Sequence, residues 1–360
     1  MSTISALSIA VQAKVPTLIW GPPGVGKTAT ITALANEMGL HLEVVIASIR
    51  EPADFSGLPV IREGGVVMEP PVWATRLCHA KKGILFLDEI STAPPAVQAG
   101  LLRVVLERVV GDLTLPSDIS VVASANPPEQ AAGGWDLTAP LANRFCHLPW
   151  SLDTQHWIDG MVGEWAVTGL LHLPESWEKS IAEKQTLIAA FIRHRPNLLL
   201  QVPVNEEQAG KAWPSPRSWT MAARLLAASE AAQAGEDVTA SLLAGCVGEG
   251  ACLEFLAWVK ELNLPDPEEI LANPSQLQLP ERGDVALAIL SAVIAAAVVK
   301  LTEERWSAAW CVLAQAAEQG KKDIAASAAK KLAAARKPEL PLPIRELQAF
   351  VPLLQKGGLM

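Results

Sequence analysis

Tyrosine is absent from this 360-residue sequence, and all aromatic residues together make up only 5% of it. The formal net charge is −9, and no stretch combines basic with aromatic residues. Nucleic-acid binding relies on Lys and Arg for phosphate contacts and on aromatic side chains for stacking. The composition therefore argues against a nucleic-acid motor or clamp loader, and we expect no nucleic-acid partner.

Cysteine is also scarce, and no two cysteines form a CxxC pair. The five cysteines are Cys78, Cys146, Cys246, Cys252 and Cys311. An odd number at irregular spacing argues against both a disulfide framework and a zinc cluster. We therefore expect ordinary buried thiols.

A secretory leader and a membrane-length apolar run are both missing. Residues 1–14 lack a basic region followed by an apolar stretch, which a signal peptide requires. The most membrane-like stretch, residues 285–299, is Ala-rich and contains Ser291. It is shorter than the roughly 20 apolar residues that a membrane span needs. We interpret it as a buried helix and expect a cytoplasmic protein without a membrane partner.

What the sequence does contain is an alternation of short apolar runs and helical stretches in its first 150 residues. Such βα units predict an α/β fold, with a parallel sheet flanked by helices that binds its ligand beyond the carboxyl ends of the strands. The strand candidates are residues 15–20, 43–47, 84–87, 119–123 and 145–148, and the helix candidates are residues 28–38 and 96–108.

From residue 179 onward nearly every segment has helical composition. The predicted helices are residues 179–194, 218–234, 238–262, 285–300, 303–317 and 323–336. Proline-rich breaks separate some of them. We predict four parts: an α/β nucleotide-binding domain (1–150), a connector (151–178), an all-α lid (179–265) and a C-terminal helical extension (266–360).

A glycine-rich motif, G-x-x-x-x-G-K-[ST], follows the first apolar strand and opens a helix. In this setting backbone N–H groups and the helix N-terminus bind phosphates. Lys27 is expected to reach the β- and γ-phosphates of ATP, and the Thr28 hydroxyl to bind Mg²⁺. The alternative is a structural glycine-rich turn. The expected nucleotide contacts are Gly21, Pro22, Pro23, Gly24, Val25, Gly26, Lys27, Thr28 and Ala29.

Two carboxylates, Asp88 and Glu89, end the apolar run that begins at Gly83. Downstream of a phosphate-binding loop, this arrangement indicates that Asp88 holds Mg²⁺ and that Glu89 polarises the attacking water as general base. The alternative is that acidic residues simply end a strand.

Three further polar residues follow in order. Asn126 ends another apolar run and could orient the attacking water beside Glu89, although Asn-Pro alone is only a turn. Arg144 could reach the γ-phosphate of a neighbouring subunit, or it could satisfy carbonyls at a helix end. Arg217 begins a later helix and could fold over the same phosphates in cis. Its alternative, a surface Arg near a helix N-cap, is unfavourable to the helix dipole.

This ordered set resembles the AAA+ superfamily of ATPases, residue by residue. Lys27 matches its Walker A motif, Asp88-Glu89 Walker B, Asn126 sensor 1, Arg144 the arginine finger and Arg217 sensor 2. Residues 49–73 resemble the insert within helix 2, and residues 107–116 resemble the hairpin before sensor 1. Together they are similar to the MoxR-like branch, although Asn143 stands where MoxR proteins often have Asp.

The resemblance implies a homo-oligomeric ring, usually a hexamer, with ATP sites between subunits. It also implies a protein client, typically one with a von Willebrand factor A domain. Phe55, Leu58 and Val60 in the insert could touch that client, or they could be ordinary packing residues. The leading hypothesis is an ATP hydrolase that remodels or activates a protein partner in a chaperone-like way. The alternative is a nucleotide-dependent scaffold or switch with little turnover.

Overall fold

The structure, a computed structural model, describes residues 2–127, 130, 135–163, 167–262 and 264–356. The chain divides into two compact units. The first comprises residues 1–177 and 198–254, and the second comprises residues 178–197 and 255–360. The predicted lid range, 179–265, is thus divided between the two units, and the four-part division stays a prediction.

The first unit is built on a five-stranded parallel sheet. The strands of the sheet are β1 (Thr17–Trp20), β2 (His41–Ile46), β5 (Lys82–Asp88), β8 (Asp118–Ala125) and β9 (Cys146–Pro149), in the spatial order β2-β5-β8-β1-β9. Each of the five predicted strands is present. Runs such as Ile84–Leu87 are fully buried, as expected of parallel strands covered by helices on both faces.

The chain from the N-terminus to residue 162 supplies the helices around this sheet. They are α1 (Ser2–Gln12), α2 (Lys27–Glu37), α3 (Ala53–Ser56), α4 (Val72–Ala80), α5 (Pro95–Glu107), α6 (Ala139–Ala142) and α7 (Thr154–Val162). Helices α2 and α5 confirm the two helices predicted here. The predicted α/β fold is therefore the fold of this unit, and helices α4 and α5 pack apolar residues such as Trp73, Leu77 and Leu101 into its core.

Two short hairpins are inserted beside the sheet. One pairs β3 (Leu58–Arg62) with β4 (Gly65–Glu69), and the other pairs β6 (Val109–Val110) with β7 (Leu113–Thr114). Of the two alternatives for Phe55, client contact and ordinary packing, the structure shows packing, because Phe55 is fully buried, whereas Leu58 is 60% exposed.

The two hairpins meet at a pair of glycines. A Cβ on Gly57 would lie 2.8 Å from the Cα of Gly111, and both glycines have positive φ. Beside them Met68 N donates to the Asp112 carboxylate (2.8 Å), and Asp112 N donates to the Met68 carbonyl (3.0 Å). Only residues without a side chain fit this crossing, so the two hairpins are joined as one body.

Later helices of the first unit are α9 (Glu206–Ala209), α10 (Pro216–Ala231) and α11 (Glu236–Val247), and α12 (Glu249–Glu261) begins in this unit. Helix α9 contacts α6, α10 contacts α1, and α11 contacts both α1 and β9. Ser215 starts α10 through a reciprocal capping box with Ser218, with Pro216 at the first helical position. The single predicted helix over residues 238–262 is wrong. Gly248 adopts a φ of 80° and ends α11, because this left-handed conformation cannot continue an α-helix.

The second unit is helical throughout its described residues. Its helices are α8 (Ile181–His194), α13 (Pro267–Ala272), α14 (Gly283–Val299), α15 (Glu303–Glu318), α16 (Lys322–Ala334), α17 (Ile344–Leu347) and α18 (Val351–Lys356). Trp306, Trp310 and Phe350 stack in its core. Helix α14 confirms the prediction of a buried apolar helix, since Leu290, Val293 and Ala297 are in this core. In the described residues, no helix is both long and apolar enough to cross a membrane.

Candidate nucleotide site

The glycine-rich loop joins the end of β1 to the first turn of α2. Gly24 and Gly26 have φ angles of 79° and 84°, a left-handed conformation that side-chain-bearing residues rarely adopt. Gly26 is the N-cap residue of α2 and has no side chain to bond the first free N–H groups. These groups therefore remain available to an anion, and the helix dipole adds positive potential there.

Lys27 is held by three acceptors. Its Nζ donates to the carbonyls of Gly21 (2.6 Å) and Pro22 (2.9 Å) and to Oδ1 of Asn126 (2.9 Å). An ammonium group has three protons, so a phosphate that binds Lys27 must replace at least one of these bonds. Burial lowers the pKa of Lys27, and the nearby carboxylates of Asp88 and Glu89 act in the opposite direction.

Asp88 lies at the carboxyl end of β5 and connects two strands to the loop. Its Oδ2 accepts a hydrogen bond from the Thr28 hydroxyl (2.8 Å), and its Oδ1 accepts one from Ser124 of β8. A hydroxyl and a carboxylate that converge in this way suit Mg²⁺, which prefers oxygen ligands and completes its shell with water and substrate phosphates. The residues present therefore fit the metal predicted for this position. Among the described residues, no group of three or more His, Cys, Asp and Glu could hold a metal ion on its own.

Glu89 follows Asp88 in a left-handed backbone conformation, with a φ of 57° and a ψ of 43°. This conformation is uncommon for a residue with a side chain. Its Oε2 accepts a hydrogen bond from Ser48, which follows β2 (2.8 Å). Glu89 is therefore oriented by a strand that neighbours its own, beside the metal-binding oxygens.

Asn126 follows β8, the strand between β5 and β1. Its side-chain oxygen accepts from Lys27, and its backbone N–H donates to Ser91 (3.3 Å). The structure thus brings two hydrogen-bonded pairs, Lys27 with Asn126 and Thr28 with Asp88, to the carboxyl edge of the sheet, with Glu89 next to Asp88.

The two predicted arginines lie near each other instead. Burial lowers the pKa of Arg144, the positive charge of Arg217 lowers it further, and the negative charge of Glu107 acts in the opposite direction. Arg144 donates to the Pro140 carbonyl, which matches the alternative of a helix-end residue, but its buried Nε has no partner among the described residues. Arg217 is exposed in the first turn of α10. No described hydrogen bond or ion pair joins either arginine to the glycine-rich loop.

A buried amide ties these arginine-bearing segments together. Asn143 donates from Nδ2 to the Trp213 carbonyl (3.1 Å), and its Oδ1 accepts from the Ser215 hydroxyl (2.7 Å). Ser215 is also the N-cap of α10. Arg144 and Arg217 are therefore held on two segments that share one hydrogen-bonded connection.

Sequence reasoning missed three serines of the site. Ser48, Ser91 and Ser124 contact Glu89, Asn126 and Asp88 respectively. Their only sequence signal is position, because each lies in or just after a predicted strand or its following turn. Only the strand order, with β5 between β2 and β8, shows that these serines lie beside the end of β5.

Comparison with known proteins agrees with this geometry. Residues 16–147 match the family described as "ATPase family associated with various cellular activities (AAA)". Chaperone MoxR1 of Mycobacterium tuberculosis is 29% identical over 147 residues, which is 39% of this chain and 37% of the relative. Residues 16–147 thus form an ATPase domain of this AAA family, and the chain is similar to the MoxR-like type. At the level of this family, the domain is a nucleotide-binding P-loop ATPase.

Two further known proteins are similar to part of this chain. The C4-dicarboxylate transport transcriptional regulatory protein DctD of Rhizobium meliloti is 36% identical over 130 residues, covering 31% of this chain and 26% of that protein. A crystal structure of a full-length MCM homolog from Methanopyrus kandleri is 17% identical with a TM-score of 0.36, covering 67% of this chain and 55% of that one. The chain spans only about a quarter to a third of the length of the curated relatives it matches.

Proposed function

We propose that this protein hydrolyses ATP in an oligomeric ring and uses the energy to remodel or activate a protein partner. The observation that supports turnover is the convergence of Lys27, Thr28, Asp88 and Asn126, with Glu89 beside them, at one edge of the sheet. Each has the chemistry that phosphoryl transfer to water requires: a cation for the phosphates, oxygens for a metal, an amide and a general base.

The residues of the loop and strand ends have distinct roles in this proposal. Lys27 and the N–H groups at Gly24 and Gly26 bind the phosphates of ATP. Thr28 and Asp88 hold Mg²⁺, which neutralises charge on the phosphates when bound. Glu89 accepts a proton from the attacking water. Asn126 exchanges its bond with Lys27 for one to that water.

Arg144 completes the site of a neighbouring subunit in this proposal. Its buried Nε has no partner among the described residues and can donate to an anion from outside the described chain, and the nearby Arg217 adds positive charge that the Glu107 carboxylate opposes. We propose that Arg217 assists Arg144 there rather than folding over its own P-loop, because the two arginines are neighbours. A ring, with six subunits expected, places one such pair at each nucleotide.

The proposed client is a protein, with a von Willebrand factor A domain as the first candidate. The relative named as a chaperone supports a protein client, and the exposed Leu58 and Ile61 on the β3–β4 hairpin offer apolar contact area. Pull-down of purified von Willebrand factor A domains with and without ATP tests this part, and Leu58→Ser should weaken the capture.

Replacement of the general base tests the catalytic part. Glu89→Gln removes the carboxylate that accepts the proton while it keeps the size of the side chain. We expect ATP affinity to change less than about threefold and turnover to fall about 1,000-fold or more. Binding is measured with a fluorescent nucleotide and turnover by phosphate release, with the exposed Glu63→Gln as the control.

Two other outcomes would change the proposal. Full turnover by Glu89→Gln would remove Glu89 from its role. ATP-dependent assembly that is unaffected by this substitution, with no turnover by the unsubstituted protein, would favour a nucleotide-dependent switch.

Ring formation is tested by turnover at increasing protein concentration, with mass measured by light scattering under the same conditions. If specific activity rises as a ring appears with ATP, the active site is shared between subunits. Turnover by a monomer at a concentration-independent specific rate would contradict the role of Arg144 in trans.

A further inference from the structure

His147 is a buried histidine of β9 that the nucleotide site does not use. Only 7% of its surface is exposed. Burial lowers its pKa to about 4, so the ring is neutral at physiological pH. Buried polar groups are costly unless both nitrogens have partners, and this ring has one on each side.

The partners of His147 fix its tautomer. Trp20 Nε1 donates to His147 Nδ1 (2.9 Å), and His147 Nε2 lies 2.8 Å from the Ala142 carbonyl oxygen. An indole N–H can only donate, so Nδ1 accepts and the proton is on Nε2. The hydrogen bonds therefore run in one direction, from Trp20 through the imidazole to Ala142. The Trp20 and His147 rings also stack, with centroids 6.1 Å apart.

The two ends of this connection lie at functionally different places. Trp20 is the last residue of β1 and directly precedes Gly21, whose carbonyl accepts from Lys27 (2.6 Å). Ala142 ends α6, two residues before Arg144. The His147 ring is thus the side chain that joins the strand entering the P-loop to the segment that carries Arg144.

A displacement at the P-loop can be transmitted through the hydrogen bonds from Trp20 through His147 to Ala142. A phosphate that accepts a hydrogen bond from Lys27 replaces at least one of its three present bonds, and the Nζ group then reorients relative to the Gly21 and Pro22 carbonyls that hold it. Gly21 is packed so closely that a Cβ there would lie 2.9 Å from the Trp150 Cβ, and Trp150 N bonds to the Trp20 carbonyl (2.6 Å). Because this packing leaves little free space, a shift of Gly21 is passed to Trp20 rather than absorbed.

We propose that His147 is a positioning residue that couples nucleotide binding at a subunit's own P-loop to the placement of the Arg144 which that subunit presents to its neighbour. This inference rests on the proposed role of Arg144 in trans. Displacement of a catalytic group by about 1 Å can cost roughly 100-fold in rate, so a small shift of α6 is sufficient.

Mixed rings separate the two sides of each site. A Glu89→Gln subunit supplies Arg144 but cannot hydrolyse ATP, and an Arg144→Ala subunit has a complete P-loop but supplies no arginine. Mixing the two restores turnover if Arg144 acts in trans. His147→Phe, which keeps an aromatic ring without hydrogen bonds, is then placed in one partner at a time.

The coupling predicts an asymmetric result. In the arginine-supplying subunit, His147→Phe should reduce the restored kcat about 10-fold with KM for ATP nearly unchanged. In the hydrolysing subunit it should change kcat less than about twofold. An equal loss in both positions would indicate a merely structural role and overturn the inference. If Glu89→Gln and Arg144→Ala subunits that both keep His147 do not restore turnover when mixed, the role of Arg144 in trans and this inference are refuted together.

A second comparison tests the dependence on nucleotide. Arginine-supplying subunits whose ATP binding is weakened by Lys27→Ala, assayed at an ATP concentration that leaves them mostly empty, should support at least about fivefold less turnover than Glu89→Gln subunits. Adding His147→Phe should bring that ratio close to 1, and an unchanged ratio would overturn the inference. If His147→Phe fails to fold by circular dichroism, Trp20→Phe removes only the first hydrogen bond, and the same asymmetry is expected with it.

Discussion

Two regions of the first unit differ in their hydrogen bonding. One contains Lys27, Thr28, Asp88 and Asn126 at the glycine-rich loop and strand ends, and the other contains the arginine pair Arg144 and Arg217. Lys27 has an acceptor for each of its three protons, and Thr28, Asp88 and Asn126 bond to partners within the chain. Arg144, in contrast, has a buried Nε without a described partner and a second cation beside it. In the first region Lys27 has an acceptor for each of its protons. In the second, one buried N–H of Arg144 has no described partner, and the nearby Arg217 and Glu107 act on the pKa of Arg144 in opposite directions.

This difference indicates how the two regions meet a nucleotide. The first must exchange existing bonds for new ones, which makes its geometry sensitive to occupancy. The second already bonds to the Pro140 carbonyl but keeps one buried N–H that has no described partner and can donate to an anion. The predictions below test whether this contrast is real.

The largest effect is expected from Arg144→Ala. If the arginine stabilises charge only in the transition state, kcat should fall about 1,000-fold while ATP affinity changes less than about threefold. Steady-state kinetics and nucleotide titration measure the two quantities. If ATP affinity fell as much as kcat, Arg144 would contribute to binding of ATP itself and not only to the transition state. The exposed Arg62→Ala provides a control.

Lys27→Ala should have the next largest effect, of the opposite kind. Removing the cation that binds the phosphates should weaken ATP binding by about 100-fold, because charge-assisted bonds to phosphate are strong. Titration with a fluorescent nucleotide measures it, with the exposed Lys211→Ala as the matched control. Unchanged affinity would contradict the assignment of this loop.

Stability should depend on pH through His147. Its pKa is about 4 in the folded protein against an ordinary value of 6.5, so the unfolded chain binds more protons between these values. The contribution of neutral His147 to the free energy of unfolding is therefore fully present above about pH 6.5 and is lost as the pH falls towards 4. We expect the free energy of unfolding to fall by about 2 kcal/mol between pH 7 and pH 5. Urea unfolding measures this loss. His147→Phe should reduce the dependence of the free energy of unfolding on pH in this interval. An unchanged dependence would exclude His147 as its source.

The smallest effect is expected at Asn143, which joins the segment that carries Arg144 to the segment that carries Arg217. Asn143→Asp keeps the acceptor for Ser215 but loses the donor to the Trp213 carbonyl, so we expect a loss of about 1–2 kcal/mol in the free energy of unfolding. Asn36→Asp, on an exposed helix end, should stay within about 0.5 kcal/mol of the unsubstituted protein. Equal effects would show that the connection is not important for stability.

The fold could be predicted because each strand of the sheet is a separate short apolar run. Residues such as Ile84 and Val121 mark buried strands without any long-range information, and the motif around Lys27 follows the first of them. The break at Gly248 was missed because glycine occurs within helices as well as at their ends, and only its φ angle of 80° distinguishes the two.

The site was predictable only where chemistry and local sequence coincide. Asp88 and Glu89 follow a buried strand directly, whereas Ser48 reaches Glu89 from another strand, and that contact depends on β2 lying next to β5. His147 has no local signal at all. Its partners come from β1 and α6, so its connection appears only when the register of β1 and β9 is known.

The glycine crossing of the two hairpins restricts how this protein can diverge. A side chain at Gly57 would collide with Gly111 and with the backbone of β4, and one at Gly111 would collide with the Met68 carbonyl. Side chains are therefore excluded just before β3 and in the β6–β7 turn, whereas the tip of the β3–β4 hairpin at Gly64 and Gly65 has free space around it. The two insertions are separate in the sequence, but they can diverge only while this contact between them is kept.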